Sequence, residues 1–152
     1  MQIALEFMSL LIVGWVASTE VGSWWGVQPV VERLPYEQQV AMEQGMLRTF
    51  GRIMPILMPL SAILAIALVV VSGGDGSVAF WLRVITANCI AVAIVTTVAV
   101  NVPLNSRTAK WQLSADPTER ERSRQQWHFF QGMRAGLFMA AFIMLALAAS
   151  MA

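Results

Sequence analysis

The sequence has very little charge, cysteine or histidine, and each shortage excludes a class of protein. Only 12% of the 152 residues are charged, against about 25% in ordinary soluble domains. The single cysteine, Cys89, excludes an internal disulfide, a CxxC redox pair and a cysteine zinc site. The single histidine, His128, excludes the multi-histidine sites of iron and copper enzymes. A net charge of +1 argues against a nucleic-acid partner.

Long apolar segments make up most of the chain. Hydrophobic residues are 57% of the sequence, and the mean hydropathy is +0.63. Because a bilayer core about 30 Å thick needs roughly 20 apolar residues per helix, four segments qualify as membrane spans. They cover about residues 3–21, 53–71, 80–100 and 136–151. The sequence therefore predicts an all-α fold, an integral membrane four-helix bundle in which residues 1–152 form a single domain.

Two of the connections are expected to be helical rather than irregular. Asp116-Pro117-Thr118-Glu119 has the residues of an N-cap, a first-turn proline and an acid at the third position. Span four is therefore predicted to begin as a helix outside the bilayer. Residues 37–52 have apolar side chains at helical spacing and predict an amphipathic helix leading into span two, bent at Pro55. These helical extensions should lie on the cytoplasmic side.

The basic residues are distributed very unevenly among the connections. Nine of the ten Lys and Arg lie in the two long connections or at the start of span four, and only Arg83 lies on the other side. Positive residues remain cytoplasmic in most membrane proteins. The distribution predicts a protein of the cell inner or plasma membrane with cytoplasmic basic loops. Both termini and the glycine-rich turn 72–77 would then face outward.

Two acids lie in or near the first span. They are fourteen residues apart, so both share a helix face but are separated by about 21 Å along the axis. Glu6 is expected to be solvated near the outer interface. For Glu20 two interpretations are open: a carboxylate paired with an arginine such as Arg48 or Arg134, or a general base or metal ligand.

Two asparagines flank Pro103 at the end of the third span. Pro103 removes a backbone donor, so Asn101 and Asn105 could serve as caps where the helix ends. Alternatively, their amides could hold an oxygenated aromatic substrate, since an amide both donates and accepts without carrying charge.

Aromatic and polar residues are concentrated at the start of span four. Trp127, Gln131 and Arg134 fall on one helix face, and His128 lies beside them. This pattern is consistent with a membrane-interface belt or with a binding site. His128 could be a general base or a surface residue. The tryptophan pair at 24–25 is interpreted as interface anchors.

Several short motifs together resemble a known family. They are the acid-bearing first span, Val27-Gln28-Pro29-Val30-Val31 just after it, Asn101-Val102-Pro103-Leu104-Asn105 closing the third span, and Trp127 seven residues before Arg134. In these features the chain resembles the anthrone oxygenase-like family of small four-helix membrane proteins, most of which have no assigned function. The resemblance implies oxidation of anthrones to anthraquinones with dioxygen, without an obvious classical cofactor motif. The cofactor is therefore left unknown.

The resemblance also implies a set of site residues. Carried over position by position, these are Gln28, Asn101, Asn105, Trp127, Gln131 and Arg134. Relatives have histidine or an acid at position 28 and histidine at position 131, whereas glutamine cannot act as a base near neutral pH. Proton transfer in this chain would then depend on His128, Glu20 or Glu43.

Three functional hypotheses remain open at this stage. An oxygenase would bind a flat, lipophilic phenolic substrate from the bilayer, remove a proton, and stabilise the oxyanion with Asn101, Asn105 and Arg134. A variant of this hypothesis places a metal on Glu20 and His128, although two ligands are few. The second hypothesis is a non-catalytic membrane subunit or lipid-binding module. The third is a proton-coupled transporter, which would require a homo-oligomer because no inverted repeat is present.

Overall fold

The computed structural model describes residues 2–110 and 116–151, and within them every regular element is helical. The elements are α1 (Gln2–Val21), α2 (Gln28–Val31), α3 (Tyr36–Val71), α4 (Val78–Thr96), α5 (Val102–Thr108) and α6 (Pro117–Ser150), with π-helical turns at Gly22–Val27 and Thr97–Asn101. Because the π-helical turns join their neighbours, the chain forms four helices long and apolar enough to cross a membrane. The predicted all-α four-helix architecture is confirmed.

Two helices are much longer than a bilayer is thick. α3 has 36 residues and α6 has 34, so at 1.5 Å per residue each exceeds about 50 Å. The predicted helical extensions are therefore present as continuations of spans two and four. Asp116 caps α6 as expected, because its side chain accepts a hydrogen bond from the Thr118 backbone N–H at 2.9 Å. α3 continues through Pro55 without interruption.

A tight glycine turn joins α3 to α4. Gly73, Gly74 and Gly76 have φ of 72°, 66° and 68°, a region that L side chains rarely adopt. Asp75 Oδ1 accepts a hydrogen bond from the Ser77 backbone N–H at 3.0 Å, and this bond lowers the pKa of Asp75 below its usual value. We call the end of the bundle that contains this turn the turn end.

The core lies between the four long helices on the turn-end side of the molecule. Its fully buried side chains include Val13, Val16, Leu68, Ile90 and Phe138. Large apolar side chains also cover the outside, which is the arrangement expected of a bundle surrounded by lipid tails.

α1 and α6 approach closely at one glycine. A Cβ at Gly14 would lie 2.9 Å from a ring carbon of Phe142, so only glycine allows this contact without rearrangement. α4 is tied to α6 by Thr86, whose hydroxyl donates to the Ala141 carbonyl at 3.3 Å. Both contacts bring α6 against its two neighbours near the middle of the bundle.

The expectation that Glu6 is solvated is wrong. Glu6 is only 8% exposed and forms an ion pair with Arg83 of α4, which is 4% exposed. Arg83 Nη1 also donates to Ser72 Oγ at 3.1 Å. The physical reason is that an unpaired charge at membrane depth is costly, and α4 places the opposite charge at the same depth.

The interpretation of the two asparagines as caps where the third helix ends is wrong. The helix continues through a π-helical turn into α5 and ends at Thr108. Asn101 makes no side-chain cap at the start of α5. Pro103 lies within this continuous helix, where it cannot donate to the carbonyl four residues earlier. The orientation of the bundle across the membrane stays a prediction.

Candidate functional site

A cavity of about 1230 Å³ opens in the half of the bundle away from the turn end. This is larger than the 300–1000 Å³ typical of small-molecule sites. Much of its wall is apolar, as expected of a site for a lipophilic molecule. The apolar lining includes Leu47, Phe50, Met54 and Met58 of α3, with Ile94 and Val98 of the third helix.

A hydrogen-bonded cluster of Glu20, Gln131 and Arg134 lines one side of the cavity, and we call it the Glu20 cluster. Glu20 and Gln131 are each 2% exposed. Gln131 Nε2 and Arg134 Nε donate to Glu20 Oε2 at 2.6 Å and 2.8 Å. Arg134 Nη2 donates to Gln131 Oε1, and its Nη1 donates to Thr97 Oγ1 at 3.4 Å.

This geometry decides which of the two arginines considered, Arg48 or Arg134, pairs with Glu20. The expected contact with Arg134 is present. The alternative contact with Arg48 is not formed, since Arg48 is exposed and donates to the Gln44 carbonyl of its own helix. Both hydrogen bonds to Glu20 end on Oε2, and within residues 2–110 and 116–151 none reaches Oε1. Oε1 is therefore the carboxylate atom left for a ligand.

Asn105 and Trp127 form a second polar contact on the cavity wall. Trp127 Nε1 donates to Asn105 Oδ1 at 2.9 Å, which fixes the amide so that its Nδ2 group remains a donor. Asn101 behaves differently. It is 1% exposed, is not part of the cavity lining among the described residues, and its Nδ2 has no hydrogen-bond partner there. Of the two asparagines, the structure brings only Asn105 to the cavity.

His128, Gln28 and Trp24 also line the cavity. Gln28 is 4% exposed. The His128 ring lies 5.8 Å from the Trp24 ring, centroid to centroid, with the planes tilted by 41°. Trp24, interpreted from the sequence as an interface anchor, packs its indole so closely on Gly132 that a Cβ there would lie 2.7 Å from Cε2. Trp25 is 76% exposed, as an anchor would be.

Charged residues surround the far end of the cavity, which we call the rim. Arg124 Nε lies 3.3 Å from Oε1 of Glu43, the second acid considered as a base. Arg124 also lies 3.8 Å from Glu121 and 4.0 Å from Glu32. Glu43 is therefore held in this ion-pair network and is not part of the Glu20 cluster. The rim places charge where the cavity meets the helical extensions.

Both π-helical turns lie at the site, and the sequence reasoning did not include them. Glu20 lies just before the turn Gly22–Val27, and Thr97 begins the turn Thr97–Asn101. π-helical turns are often associated with functional sites. Each is followed two residues later by a proline, Pro29 or Pro103. Proline cannot donate to the carbonyl four residues earlier, and a local change to i→i+5 hydrogen bonds accommodates the missing donor. The x-Pro motif is therefore the feature of the sequence that could have predicted these π-helical turns.

The potential metal ligands in the described ranges do not form a larger group. No cluster of three or more His, Cys, Asp or Glu occurs within residues 2–110 and 116–151. Glu20 and His128, the pair considered for a metal, both line the cavity. In this part of the chain they have no third ligand of these types beside them.

Comparison with known proteins places this site in a family. The model of the family described as anthrone oxygenase matches residues 46–144, well over half of the chain. The chain belongs to the anthrone oxygenase family. No curated protein and no solved structure gives a significant match. In this family member the matched segment contains Asn105, Trp127, Gln131 and Arg134, whereas Glu20 lies before it.

Proposed function

We propose that the protein oxidises flat, lipophilic phenolic substrates of the anthrone type with dioxygen. In such a substrate, a methylene between two aromatic rings is activated by the ketone opposite it. The observation that carries the proposal is the cavity wall itself. It combines the unbonded Oε1 of Glu20 with the donor Nδ2 of Asn105 beside apolar surfaces.

Glu20 is the proposed general base. Arg134 and Gln131 hold Oε2 through two charge-assisted hydrogen bonds, which fix the carboxylate in one orientation. Oε1 can then take a proton from the methylene carbon. The electron pair moves into the ring system and places negative charge on the ketone oxygen, where the Asn105 amide can donate. Arg134 acts mainly by holding Glu20, because its three nitrogens already bond Glu20, Gln131 and Thr97.

The oxidation then balances without a further reductant. The carbanion passes one electron to dioxygen, and the two radicals combine into a peroxide anion at the former methylene carbon. This anion takes back the first proton from Glu20 and becomes a hydroperoxide. The carboxylate then removes the second C–H proton as the O–O bond breaks, and the departing hydroxide combines with that proton to give water and leaves a carbonyl. One anthrone and one dioxygen thus give one anthraquinone and one water. His128 lines the same cavity and is suited to passing protons towards the rim.

The binding residues have separate tasks in this scheme. Trp127 orients Asn105 and adds an aromatic edge to the wall. Gln131 orients Glu20, and Gln28 offers an uncharged amide where the cavity passes α2. Asn101 takes no direct part, since it is buried away from the cavity.

The test is oxygen-dependent conversion of anthrone to anthraquinone by the protein in lipid nanodiscs. Glu20→Gln should lower turnover by about 100-fold to 10,000-fold, the usual contribution of a positioned base. Because Glu20→Gln leaves Arg134 without its counter-charge, Glu20→Asp is the second variant, which keeps the charge but withdraws the carboxylate. Glu37→Gln, an exposed acid in the first turn of α3, is the matched control. Full turnover by folded Glu20→Asp, or no oxidation by the wild type, would contradict the proposal.

A non-catalytic ligand-binding module is the second candidate. The observation that favours it is the pairing of Glu20 with Arg134, which makes the cluster electrically neutral without a substrate. This function predicts tight binding of anthraquinone and no consumption of oxygen with anthrone. The same nanodisc preparation distinguishes the two candidates.

A further inference from the structure

The α3 wall of the cavity contains two prolines and a glycine at helical spacing. Gly51, Pro55 and Pro59 are four residues apart, so they lie on one face of α3, and all three line the cavity. Proline has no N–H group to donate to the carbonyl four residues earlier. The carbonyls of Gly51 and Pro55 therefore lack their usual helical partners, and both belong to residues that line the cavity.

These two carbonyls have lost the backbone donor that a helix normally supplies. They are about 6 Å apart along the helix axis. The neighbouring lining side chains of α3, Phe50, Met54 and Met58, have no N–H or O–H group. A carbonyl without a donor in an apolar environment costs free energy, so a ligand that donates to it gains affinity.

The donor for a ligand belongs to another helix. The Asn105 amide comes from α5, and its Nδ2 group suits a carbonyl oxygen of the ligand. The cavity thus has a donor on the α5 wall and, on the α3 wall, two acceptors that lack their usual helical donors. A molecule that matches both has a ketone on one edge and hydroxyl groups on another.

We propose that the carbonyls of Gly51 and Pro55 form a subsite that accepts hydrogen bonds from phenolic hydroxyls of the bound ligand. The subsite selects hydroxylated ring systems over their alkylated counterparts. The inference rests on the proposed function for the choice of a ketone-bearing aromatic ligand. Its test measures binding of oxidised compounds, so it is independent of turnover.

The experiment compares 2-hydroxyanthraquinone with 2-methoxyanthraquinone, which keeps the oxygen but lacks the donor. Dissociation constants are measured by tryptophan quenching in nanodiscs, in buffer acidic enough to keep the phenol protonated. The wild type should prefer the hydroxyl compound by about 10-fold, as one net hydrogen bond would give. Pro55→Ala/Pro59→Ala restores both N–H groups and should reduce this preference to about 1-fold.

A matched control comes from the third helix. Pro103 lies in the first turn of α5 and is not part of the cavity lining among the described residues, so Pro103→Ala should keep the full preference. If Pro55→Ala/Pro59→Ala acts only by changing the shape of the cavity, both dissociation constants should change by the same factor and the preference for the hydroxyl compound should remain. That result would overturn the subsite. No preference in the wild type, or no binding of either compound, would also overturn it. Preferential binding without oxidation of anthrone would support the subsite while contradicting the proposed reaction.

Discussion

The Nε atom of Arg134 donates to Oε2 of Glu20 at 2.8 Å, joining the last long helix to the first. Arg83 and Glu6 form a second buried ion pair near the turn end. The two acids of α1 are thus neutralised by arginines from different helices, α6 and α4. The difference between the two pairs is their surroundings, because Glu20 lines the cavity and Glu6 does not belong to its described lining.

Arg134→Lys should separate the orienting role of the arginine from its charge. Lysine keeps the positive charge but loses the planar set of donors that contacts Glu20, Gln131 and Thr97 at once. We expect turnover of anthrone to fall by about 100-fold, comparable with loss of one oriented catalytic group. The melting temperature should fall by only a few degrees.

Arg48→Lys is the matched control for this variant, because Arg48 is exposed and its Nε donates to a carbonyl of its own helix. It should leave turnover unchanged. If Arg134→Lys also left turnover unchanged, the proposed role of Arg134 in orienting Glu20 would be contradicted. The result would then favour an arginine that only extends towards lipid phosphates.

Gly132→Ala should disturb the site through Trp24. The added Cβ would lie 2.7–2.9 Å from Cε2, Cζ2 and Nε1 of the indole, too close without movement of the ring. Forced repacking of this kind typically costs about 1–3 kcal/mol. The free energy of unfolding should fall by that amount, and the tryptophan emission should change.

Gly136→Ala supplies the comparison, since a Cβ there meets nothing within 4 Å. Helical glycine is destabilising by about 0.5–1 kcal/mol relative to alanine, so this variant should be slightly stabilised. Equal effects of the two substitutions would mean that Trp24 does not pack on Gly132.

The sequence predicted those parts of the fold that depend on local chemistry. Apolar length was enough to locate the four spans, and the Asp116 cap was enough to start α6 outside the bilayer. Ion pairs between side chains of different helices were harder to predict, because they depend on the relative depth of the two residues in the bundle. The solvated position expected for Glu6 was wrong for this reason, since Arg83 is 77 residues away along the chain.

In the site, too, features that depend on local helical spacing were predicted, and features that depend on the three-dimensional packing were predicted only in part. The stripe containing Gln131 and Arg134 was visible from helical spacing, and its contact with Glu20 followed from the predicted depths. Asn101 and Asn105 could not be separated by spacing alone. The π-helical turn Thr97–Asn101 shifts the register of both relative to α4, and of the two only Asn105 lines the cavity.

The orientation predicted from the basic residues can be tested by cysteine labelling. In a Cys89→Ser background, Ser77→Cys at the turn end should react with a membrane-impermeant thiol reagent applied to the outside of intact cells. Gln38→Cys, at an exposed position near the start of α3, should react only after the membrane is opened. The opposite pattern would invert the bundle and place the cavity mouth on the outer side.

The Glu6–Arg83 pair should stabilise the bundle without affecting the reaction. Removing one partner leaves a buried charge uncompensated, so Glu6→Gln and Arg83→Gln should each lower the free energy of unfolding by about 3–5 kcal/mol. The double variant removes both charges and should cost much less than the sum of the two single variants. Because Glu6 is about 21 Å from Glu20 along α1, every variant that folds should retain wild-type turnover of anthrone. Additive losses of stability would show that the two charges do not interact. A loss of turnover in the folded double variant would instead couple the turn end to the cavity.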